Sequence, residues 1–306
     1  MASFSIIITC YNHKAFIGDA VSSALAQTHP AGEVIVVDDA STDGSREVLE
    51  GYGDAIRFVA IRDNGGASAA RNHGAAVATG DFLAYLDGDD VLQPWALQLF
   101  SLLVDARRPK LILGKLSWFT GPVSSLDKSV PPREVCFVEY ETFMKKDRNY
   151  RASASAMVIE RAAFDDVEGF TSGAWPLDDA DLMLKLGYSG RTLGIISPST
   201  AGYRQHAENT SRQVQKLIDG VHWLIRNERR NRYPGGSACR FERYSVLGGI
   251  VFFWLRKTLR PGLYLQFLKL LAGGWAMVLA AILRRCRVFL RGRRPVEIVP
   301  VPAPSA

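Results

Sequence analysis

Residues 81–95 read Asp-Phe-Leu-Ala-Tyr-Leu-Asp-Gly-Asp-Asp-Val-Leu-Gln-Pro-Trp. The apolar run Asp81 to Leu86 has the length of a buried strand, and it ends in the carboxylates Asp87 and Asp89. If the strand geometry continues, these two side chains point to the same side, and Gly88 between them leaves room for a ligand. Neighbouring carboxylates repel each other unless a cation or water separates them. The stretch therefore predicts a site for a hard divalent ion or, alternatively, a solvated acidic turn before a helix.

Strands and helices alternate before this turn. Runs typical of strands occur at Phe4–Thr9, Glu33–Val37 and Ile56–Ile61. Segments with helical spacing or helix-start signals lie between them, at Ala15–Gln27, at Ser45–Glu50 and after Gly65-Gly66. Four strands alternating with three helices in about 90 residues predict a parallel α/β sheet.

Polar loops follow each of these predicted strands. They contain Tyr11-Asn12, Asp38-Asp39, Asp63-Asn64 and Asp87–Asp89. In parallel α/β sheets ligands bind beyond the carboxyl ends of the strands, so these loops are expected to converge on one edge. This convergence favours a ligand site over a solvated turn.

Length and cysteine usage limit the broad class of the protein. The chain has 306 residues, 47% of them hydrophobic, which is enough for one large domain or one domain with an appendage. Its four cysteines show no C-x-x-C spacing, which argues against a disulfide framework or a thiolate zinc site and favours a reducing cytoplasm. The first ten residues run into a predicted strand without a basic leader, so we expect no signal peptide.

The charge is divided unevenly along the chain. Residues 1–215 hold 20 Lys and Arg against 27 Asp and Glu, a net charge of −7. Residues 216–306 hold 17 against 4, a net charge of +13. An acidic body is not the pattern of an enzyme with a basic cleft for nucleic acid. It predicts a soluble domain whose tail meets an anionic surface.

Four motifs together carry a family resemblance. They are Ile6–His13 (Ile-Ile-Ile-Thr-Cys-Tyr-Asn-His), Val36–Ser45 (Val-Val-Asp-Asp-Ala-Ser-Thr-Asp-Gly-Ser), Asn64–Gly74 and Leu86–Asp90. In order and spacing they resemble the successive motifs of family 2 glycosyltransferases, over roughly residues 3–210. The resemblance implies the GT-A fold, an α/β architecture with a mostly parallel central sheet flanked by helices. It also implies that a nucleotide-sugar donor lies across the strand ends.

The resemblance assigns donor-binding roles. Thr9, Tyr11 and Asn12 would line the base and ribose pocket. Asp39, with Asp38 beside it, would accept a hydrogen bond from a pyrimidine base, and Arg71 would lie near the pyrophosphate, a role that suits its fixed charge. Read without the resemblance, Asp38 and Asp39 are a strand-end turn with helix capping, and Arg71 is a surface residue of a helix.

The resemblance also implies a divalent cofactor, Mg²⁺ or Mn²⁺. Asp89 would ligate the ion directly, and Asp87 would contact the ribose or the water shell of the ion. His206, in the segment Tyr203-Arg-Gln-His206, would approach the metal or the diphosphate, with a structural or exposed histidine as the alternative. A departing nucleoside diphosphate develops negative charge, which a bound cation stabilises.

A catalytic base is implied by a later segment. Residues 175–186, Trp-Pro-Leu-Asp-Asp-Ala-Asp-Leu-Met-Leu-Lys-Leu, resemble the Glu-Asp-x-Asp-Leu motif that carries the base, and we carry this role onto Asp179. Asp178 stands where the family more often has Glu. One base implies a single displacement with inversion, by analogy with the family. Alternatively, Asp178, Asp179 and Asp181 only favour a helix N-terminus.

The tail differs in character from the rest. We divide the chain into a catalytic domain at 1–210 (donor side 1–115, acceptor side 116–210), a helical region at 211–294 and a disordered tail at 295–306. The apolar stretches Ser245–Leu255 and Leu263–Leu283, bordered by arginines, suit helices that lie in a membrane interface at the cytoplasmic face. A re-entrant hairpin, a single span, or helices packed on the core or at a dimer interface remain alternatives.

The sequence thus predicts a metal-dependent glycosyltransferase that acts at the cytoplasmic face of the plasma membrane. Its partners would be a UDP- or dTDP-linked sugar and a saccharide or lipid-linked acceptor hydroxyl in cell-surface polysaccharide or glycolipid synthesis. The alternatives are a nucleotidyltransferase with a similar sheet, although the usual Gly-rich loop with a basic residue is absent near the N-terminus, and a non-catalytic relative that binds nucleotide sugar. Neither the sugar nor the acceptor follows from the sequence.

Overall fold

A computed structural model describes residues 2–126, 131–148, 150, 153–259 and 262–302. Its strands are β1 Phe4–Cys10, β2 Glu33–Asp39, β3 Arg57–Ile61, β4 Phe82–Asp87, β5 Val91–Leu92, β6 Leu111–Leu113, β7 Leu116–Phe119, β8 Glu134–Tyr140, β9 Met157–Glu160, β10 Thr192–Ser197, β11 Ala201–Arg204 and β12 Glu297–Pro300. Its α-helices are α1 Ile17–Leu25, α2 Ser45–Glu50, α3 Ala67–Val77, α4 Ala96–Arg107, α5 Arg161–Asp165, α6 Asp178–Leu186, α7 Val214–Arg229, α8 Arg240–Thr258 and α9 Tyr264–Arg291.

Nine strands form the main sheet, in the order β12-β8-β10-β6-β9-β4-β1-β2-β3. The pairs β1–β2, β1–β4 and β2–β3 are parallel, as expected for strands joined by crossover helices. β9 lies antiparallel between β4 and β6, and β8 lies antiparallel to both β10 and β12. The predicted α/β class is confirmed, and the sheet is parallel where the sequence motifs lie and mixed beyond them.

Both faces of the sheet are covered. Ile7 of β1 faces one hydrophobic cluster, and its neighbours Ile6 and Ile8 face a second cluster on the opposite side, because successive side chains of a strand alternate between faces. A strand buried on both sides must be apolar throughout, which explains the continuous Ile-Ile-Ile run. The polar groups of this region are left for the strand ends.

A small second sheet, β5-β11-β7, lies beside the acidic turn. β5 begins directly after Asp90, and Gly202 of β11 pairs with Val91 of β5. β11 is parallel to β7 on its other side. This sheet brings the segment Tyr203–His206 to the carboxyl end of β4, more than 100 residues away in sequence.

Helices α7, α8 and α9 form the helical region. The predicted apolar stretch Ser245–Leu255 lies within α8, and the stretch Leu263–Leu283 lies within α9 except for its first residue. The two helices approach closely at Gly248, where a Cβ atom would lie 1.8 Å from the carbonyl oxygen of Met277. Over the part of the chain that the structure describes, one helix, α9, is long and apolar enough to cross a membrane by length and composition.

The end of the chain corrects one expectation. We predicted that 295–306 is disordered, but Glu297–Pro300 form β12 and pair with β8. Glu297 also accepts a hydrogen bond of 2.8 Å from Arg107 of α4. An open sheet edge offers unpaired backbone groups that even a short segment such as Glu-Ile-Val-Pro satisfies, and the local sequence does not reveal that edge. Residues 303–306 lie outside the described residues, and the division into three regions stays a prediction.

Candidate active site

Asp39 at the end of β2 anchors the start of α3. Its carboxylate accepts hydrogen bonds from the backbone N–H groups of Gly65 (2.8 Å) and Gly66 (2.7 Å). Gly66 has a φ of 80°, a left-handed conformation in which glycine is unstrained. Asp39 therefore fixes the loop before α3, and the predicted contact with a base would use the remaining lone pairs of the same carboxylate.

The other predicted donor residues lie in the neighbouring loops. Asn12 is bound into the loop after β2, since its side-chain oxygen accepts from the N–H of Thr42 (2.8 Å). The carboxylate of Asp38 is buried and pairs with Arg46 at 3.1 Å, so it is not exposed to a ligand. The carbonyl of Thr9 accepts from the N–H of Gly88 (2.9 Å). Tyr11 differs from these residues, because 48% of its side chain is exposed.

Arg71 of α3 joins the acidic turn to α6. Its guanidinium donates to Asp87 Oδ1 at 2.6 Å and to Asp178 Oδ2 at 2.5 Å. Ser68, one helical turn earlier, also donates to Asp178 (2.9 Å). Both terminal nitrogens of Arg71 are thus engaged by protein carboxylates, and the side chain is buried. These contacts favour a positioning role for Arg71 over the predicted contact with the pyrophosphate, which stays a prediction.

Asp179 lies beside this ion-pair network without joining it. Its carboxylate accepts a hydrogen bond from the N–H of Ala180 (2.6 Å), in the first turn of α6. Burial, followed by repulsion from Asp178, raises the pKa of Asp179 to about 7. A carboxylate with a pKa near neutrality accepts a proton more readily than an ordinary aspartate does.

Asp89 forms a second pair on the other side of the turn. Its Oδ2 lies 2.9 Å from Nε2 of His206, so the segment 203–206 reaches the acidic turn. The predicted approach of His206 to a metal or diphosphate stays a prediction. Burial acts to raise the pKa of Asp89, but the hydrogen bond with His206 and the charge of His13 outweigh burial and lower it. Asp89 is therefore held as an anion.

Asp90 completes the acidic turn and is structural. It is buried, accepts from Ser155 Oγ (2.5 Å) and accepts from the N–H of Arg204 (2.9 Å). Burial first, and then the charges of Asp89 and Asp87, raise the pKa of Asp90 well above its usual value. Asp90 links the turn to β11 and to the segment before β9.

Arg204 clamps the backbone around the turn. It donates to the carbonyl of Asp89 (2.9 Å), to the carbonyl of Gly121 (2.7 Å) and to the carboxylate of Asp19 (2.7 Å). Its guanidinium also lies between two rings, 5.0 Å from the centroid of Phe16 and 4.7 Å from that of Phe119. Sequence reasoning missed this residue, although it stands within the Tyr203–His206 segment that the family resemblance singled out.

The sheet register brings the donor residues and the acidic turn to one edge. Thr9 of β1 lies opposite Asp87 on β4 and opposite Val37 on β2. Asp39 is thus two strands from Asp87, about 10 Å across the sheet. Arg71 and Ser68 connect α6 to the same edge. Thr9, Asp39 and Asp87 therefore lie at one edge of the sheet, which Arg71 joins to α6, while Asp38 is buried and paired with Arg46.

The donor set at Asp89 and His206 fits a divalent ion in part. Among the residues that the structure describes, no three His, Cys, Asp or Glu side chains are grouped as a ready-made metal site. Carboxylate and imidazole are both ligands of first-row ions, and the 2.9 Å between their atoms is short enough for one ion to bridge them. Asp87 is tied to Arg71 on the opposite side, so the site would need oxygen atoms from the donor to complete its coordination.

Several relatives match part of the chain in sequence. The putative teichuronic acid biosynthesis glycosyltransferase TuaG of Bacillus subtilis is 44% identical over 89 residues, which are 28% of this chain and 35% of that protein. The glycosyltransferase GlyG of Streptococcus pneumoniae is 23% identical over 220 residues, 68% of this chain and 72% of that protein. The alignment with TuaG thus spans about a third of that relative's length.

Solved structures share the fold over nearly the whole chain. S. aureus TarS 1-349 in complex with UDP-GlcNAc has a TM-score of 0.68 at 16% identity, and the match covers 95% of this chain and 92% of that chain. The mannosyltransferase PcManGT of Pyrobaculum calidifontis, in complex with GDP-Man and Mn²⁺, has a TM-score of 0.55 at 18% identity, covering 96% and 77%. The GT-A architecture expected from the sequence is confirmed.

The family model described as glycosyl transferase family 2 matches residues 5–167, more than half of the chain. The matched range contains β1 to β4, the acidic turn and Arg71. The matched range ends before α6. The Arg71–Asp178 ion pair nevertheless joins α6 to the same edge of the sheet. By sequence and by fold, the chain belongs to glycosyl transferase family 2.

Proposed function

We propose that this protein transfers a sugar from a nucleoside-diphosphate donor to an acceptor hydroxyl, with inversion at the anomeric carbon. The observation that carries the proposal is the Asp87–Arg71–Asp178 bridge, because it joins the acidic turn to the helix that bears Asp179. A donor held at the strand ends would then face a carboxylate whose pKa is about 7.

The donor half of the reaction uses the strand-end loops. Tyr11 offers an exposed ring for stacking with a nucleobase. Asp39, with two loop N–H groups already bound, would accept a further hydrogen bond from the N–H of a pyrimidine base. Thr9 and Asn12 would border the ribose. TarS was solved with UDP-GlcNAc, and PcManGT with GDP-Man, which supports a nucleotide-sugar donor. The pyrimidine contact assigned to Asp39 favours the UDP or dTDP type.

A divalent ion, Mn²⁺ or Mg²⁺, would be held by Asp89 and His206, with Asp87 at its edge or near the ribose. When bound, such an ion supplies Lewis-acid stabilisation of the departing diphosphate. The residues themselves keep an anion and an imidazole in contact at the end of β4. The Mn²⁺ in the structure of PcManGT supports this cofactor class.

The acceptor half of the reaction is assigned to Asp179. Its carboxylate takes the proton from the acceptor hydroxyl as that oxygen bonds to the anomeric carbon, and the bond from that carbon to the diphosphate oxygen breaks. Asp178 does not compete as base, because its oxygen Oδ2 is bound by Arg71 and Ser68. Arg71 positions Asp178 through their ion pair, and its charge acts from a distance to lower the pKa of Asp179, although burial and Asp178 outweigh it.

The acceptor would be a saccharide or a lipid-linked saccharide of the cell surface, and the protein would act at the cytoplasmic face of the plasma membrane. The support is the basic, apolar tail, with a net charge of +13 over residues 216–306. A polysaccharide role also agrees with the putative role of TuaG in teichuronic acid biosynthesis. The acceptor side of the cleft is bordered by α6 and the turn before it.

Donor turnover tests the proposal. Purified protein with Mn²⁺ is offered UDP-, dTDP- and GDP-sugars, and release of the nucleoside diphosphate is measured for the wild type, Asp89→Ala and Asp179→Asn. We expect release with one donor class and its loss in both variants. Thermal shifts with the free diphosphates are measured in parallel, since a bound ligand raises the melting temperature.

The two alternatives give different results. A non-catalytic relative would show the thermal shift without release of the diphosphate. A nucleotidyltransferase would instead form pyrophosphate from a nucleoside triphosphate and a sugar phosphate. Absence of both shift and release with every donor would contradict the assignment of Asp39 and Asp89.

A further inference from the structure

Helix α9 carries a continuous apolar stripe that none of the described residues covers. The stripe consists of twelve exposed residues: Tyr264, Leu265, Leu268, Leu271, Ala272, Trp275, Leu279, Ile282, Leu283, Cys286, Phe289 and Leu290. At 3.6 residues per turn these positions fall within a sector of about 120° and extend for roughly 39 Å along the helix. The exposed fraction is 59% for Trp275 and 87% for Phe289. A soluble surface rarely presents so long an apolar strip.

The opposite face of α9 packs on the protein. Its buried residues are Leu270, Gly274, Met277, Ala280 and Ala281. A Cβ atom at Gly274 would lie 2.7 Å from Val251 of α8, so the two helices are in close contact. α9 is therefore apolar on two faces, and only one of them has a partner within the part of the chain that the structure describes.

Basic side chains border the stripe. Lys269 and Arg287 lie along one edge and Arg285 along the other, all exposed. The guanidinium of Arg285 lies 5.5 Å from the ring centroid of Phe252, and that of Arg287 lies 4.7 Å from that of Phe241. The helix contains no Asp or Glu. A stripe of this kind is complementary to an apolar layer beneath an anionic surface.

An open groove runs along the same side of the stripe as Lys269 and Arg287. It has a volume of about 310 Å³, and its lining combines one basic residue with apolar and aromatic ones: Arg240, Phe241, Tyr244, Ala276, Leu279, Ala280 and Leu283. Leu279 and Leu283 belong to both the groove and the stripe. An acyl chain would fit the apolar lining, and a phosphate would meet Arg240 at the edge.

We propose that α9, together with the groove beside α8, binds the surface of an anionic phospholipid bilayer, with α9 lying in the plane of the interface. The stripe would enter the boundary between headgroups and acyl chains, and the basic residues would contact lipid phosphates. This inference specifies the membrane contact of the proposed function and rests on it for location, but it does not depend on glycosyl transfer itself.

The contacts of α9 with the rest of the chain favour the in-plane arrangement over a span. Arg229 of α7 donates to the carbonyl of Gly273 (2.6 Å), and Arg284 donates to Ser245 of α8 (2.7 Å). Just after α9, the N–H of Arg294 donates to Asp147 (2.5 Å). A helix fixed to the globular body at its middle and at its end would have to break these contacts to cross a bilayer.

Charge also favours a bilayer over a second copy of the chain. A symmetric dimer across the stripe would place the same surface of two copies face to face. Every charged residue of α9 is basic, so the two copies would bring like charges together without acidic partners from this helix. Anionic lipids would supply the missing opposite charge.

Vesicle sedimentation tests the proposal directly. The full chain is mixed at 150 mM salt with vesicles of neutral phosphatidylcholine or with vesicles containing 30% phosphatidylglycerol. We expect binding to the anionic vesicles and little to the neutral ones. Replacing Arg285, Arg287 and Arg291 with Gln lowers the partition coefficient about a hundredfold, since each basic residue contributes about a fivefold factor. The variant Leu268→Glu with Trp275→Glu abolishes binding to both vesicles.

A matched control separates the stripe from exposed apolar surface in general. Leu25 of α1 is 42% exposed and lies outside the tail. The variant Leu25→Glu loses an exposed leucine and gains a charge, and we expect it to bind like the wild type. If Leu25→Glu lost binding as completely as the stripe variant, the stripe would not be the contact surface.

A second measurement stays valid if the charged variants fail to fold. Bromine atoms near the headgroups or near the bilayer centre quench tryptophan fluorescence at different depths. The quenching that disappears in Trp275→Phe reports the position of Trp275 alone. Stronger quenching by the shallow label supports the in-plane arrangement, and stronger quenching by the central label would overturn it in favour of a span. Absence of binding to the anionic vesicles would overturn the proposal. If the protein were also a dimer in sedimentation equilibrium, and the stripe variant a monomer, the stripe would be a dimer interface instead.

Discussion

Two buried arginines hold the acidic turn from opposite sides, and they do so in different ways. Arg71 binds two carboxylates, Asp87 and Asp178, so its charge is balanced within the cleft. Arg204 binds two backbone carbonyls and the exposed carboxylate of Asp19, and aromatic rings cover its faces. Arg71 therefore balances the charge of the carboxylates on the turn and on α6, whereas Arg204 fixes the backbone conformation of the turn.

This difference indicates how the two halves of a transferase are built. The carboxylate proposed as base, Asp179, lies beside the Asp178–Arg71 pair, and both charges act on its pKa. Asp89, the proposed ligand of a metal ion, lies on a turn whose backbone Arg204 holds. Changes near Arg71 should alter chemistry, and changes near Arg204 should alter donor or metal binding.

The largest expected effect is on the Arg71 side. Asp179→Asn removes the proposed base and should lower kcat about 10³-fold while the KM for the donor stays within a few-fold. In the wild type, kcat/KM should rise with pH and level off above about 7, because the pKa of Asp179 is about 7 and the ionised form acts as base. Steady-state kinetics over a pH range measures both. A variant with full activity would show that Asp179 is not the base.

The Arg71 bridge itself should be costly to break. Arg71→Met leaves Asp87 and Asp178 without their cation, and the free energy of unfolding should fall by about 3 kcal/mol. The matched control is Arg57→Met, because Arg57 is half exposed and forms a longer ion pair with Glu33, at 3.8 Å. We expect less than about 1 kcal/mol for this control. Equal losses in denaturant melts would contradict a special role for the bridge.

On the Arg204 side of the turn, we expect a substitution to change the affinity for Mn²⁺. His206→Gln removes the imidazole beside Asp89, and the Mn²⁺ concentration needed for half-maximal donor turnover should rise about 10- to 100-fold. The saturating kcat should change less than it does in Asp179→Asn. His73→Gln, on α3, serves as a control for the loss of a histidine. An unchanged Mn²⁺ requirement in His206→Gln would remove that residue from the proposed ligand set.

The pH dependence of stability should also reveal the raised pKa of Asp179, which lies on the Arg71 side. Folding raises the pKa of Asp179 from an ordinary value of 3.8 to about 7. Between pH 3.8 and pH 7 the folded state therefore binds more protons than the unfolded state, and the free energy of unfolding falls as pH rises through this range. Asp179→Asn should remove this loss and stabilise the protein at pH 8 by on the order of 2 kcal/mol, with little effect at pH 4. Thermal melts at both values measure this. A variant that is destabilised at pH 8 would contradict the raised pKa.

The smallest effect is expected for the exposed partner of Arg204. Asp19→Asn keeps a hydrogen-bond acceptor, and Asp19 is 44% exposed at its side chain, so stability should change by less than about 1 kcal/mol. The effect should be smaller than that of breaking the Arg71 bridge, because Arg204 is held mainly by backbone carbonyls and aromatic rings. A loss as large as that of Arg71→Met would show that the two arginines act alike.

The sequence predicted the features that depend on neighbouring residues. β1, β2, β4 and the polar loops after them follow from local runs and from motifs in order, and the register of parallel strands brings them together. The Arg71–Asp178 contact spans 107 residues, and the Arg204–Asp19 contact spans 185. No periodicity encodes such pairs, because they depend on how α6 and β11 pack against the sheet.

The tail shows the same limit. Its apolar stretches were predicted as helices, but the sequence left open whether they span, enter or lie on a membrane or pack on the core. Which face of α9 packs depends on Gly248 and Gly274, where small residues allow α8 to approach. The stripe is visible only after the buried face is known.

Strand β12 has a practical consequence for handling this protein. The backbone of β8 is paired with β12 on one side and with β10 on the other, so truncation before residue 297 would leave a seven-residue strand open at the rim of the sheet. Open strands of this kind recruit strands from other molecules. Shortened versions that keep α9 but end near residue 294 should therefore self-associate in solution, even where the cleft is intact, and an affinity tag fused close to Pro300 should disturb that pairing in the same way.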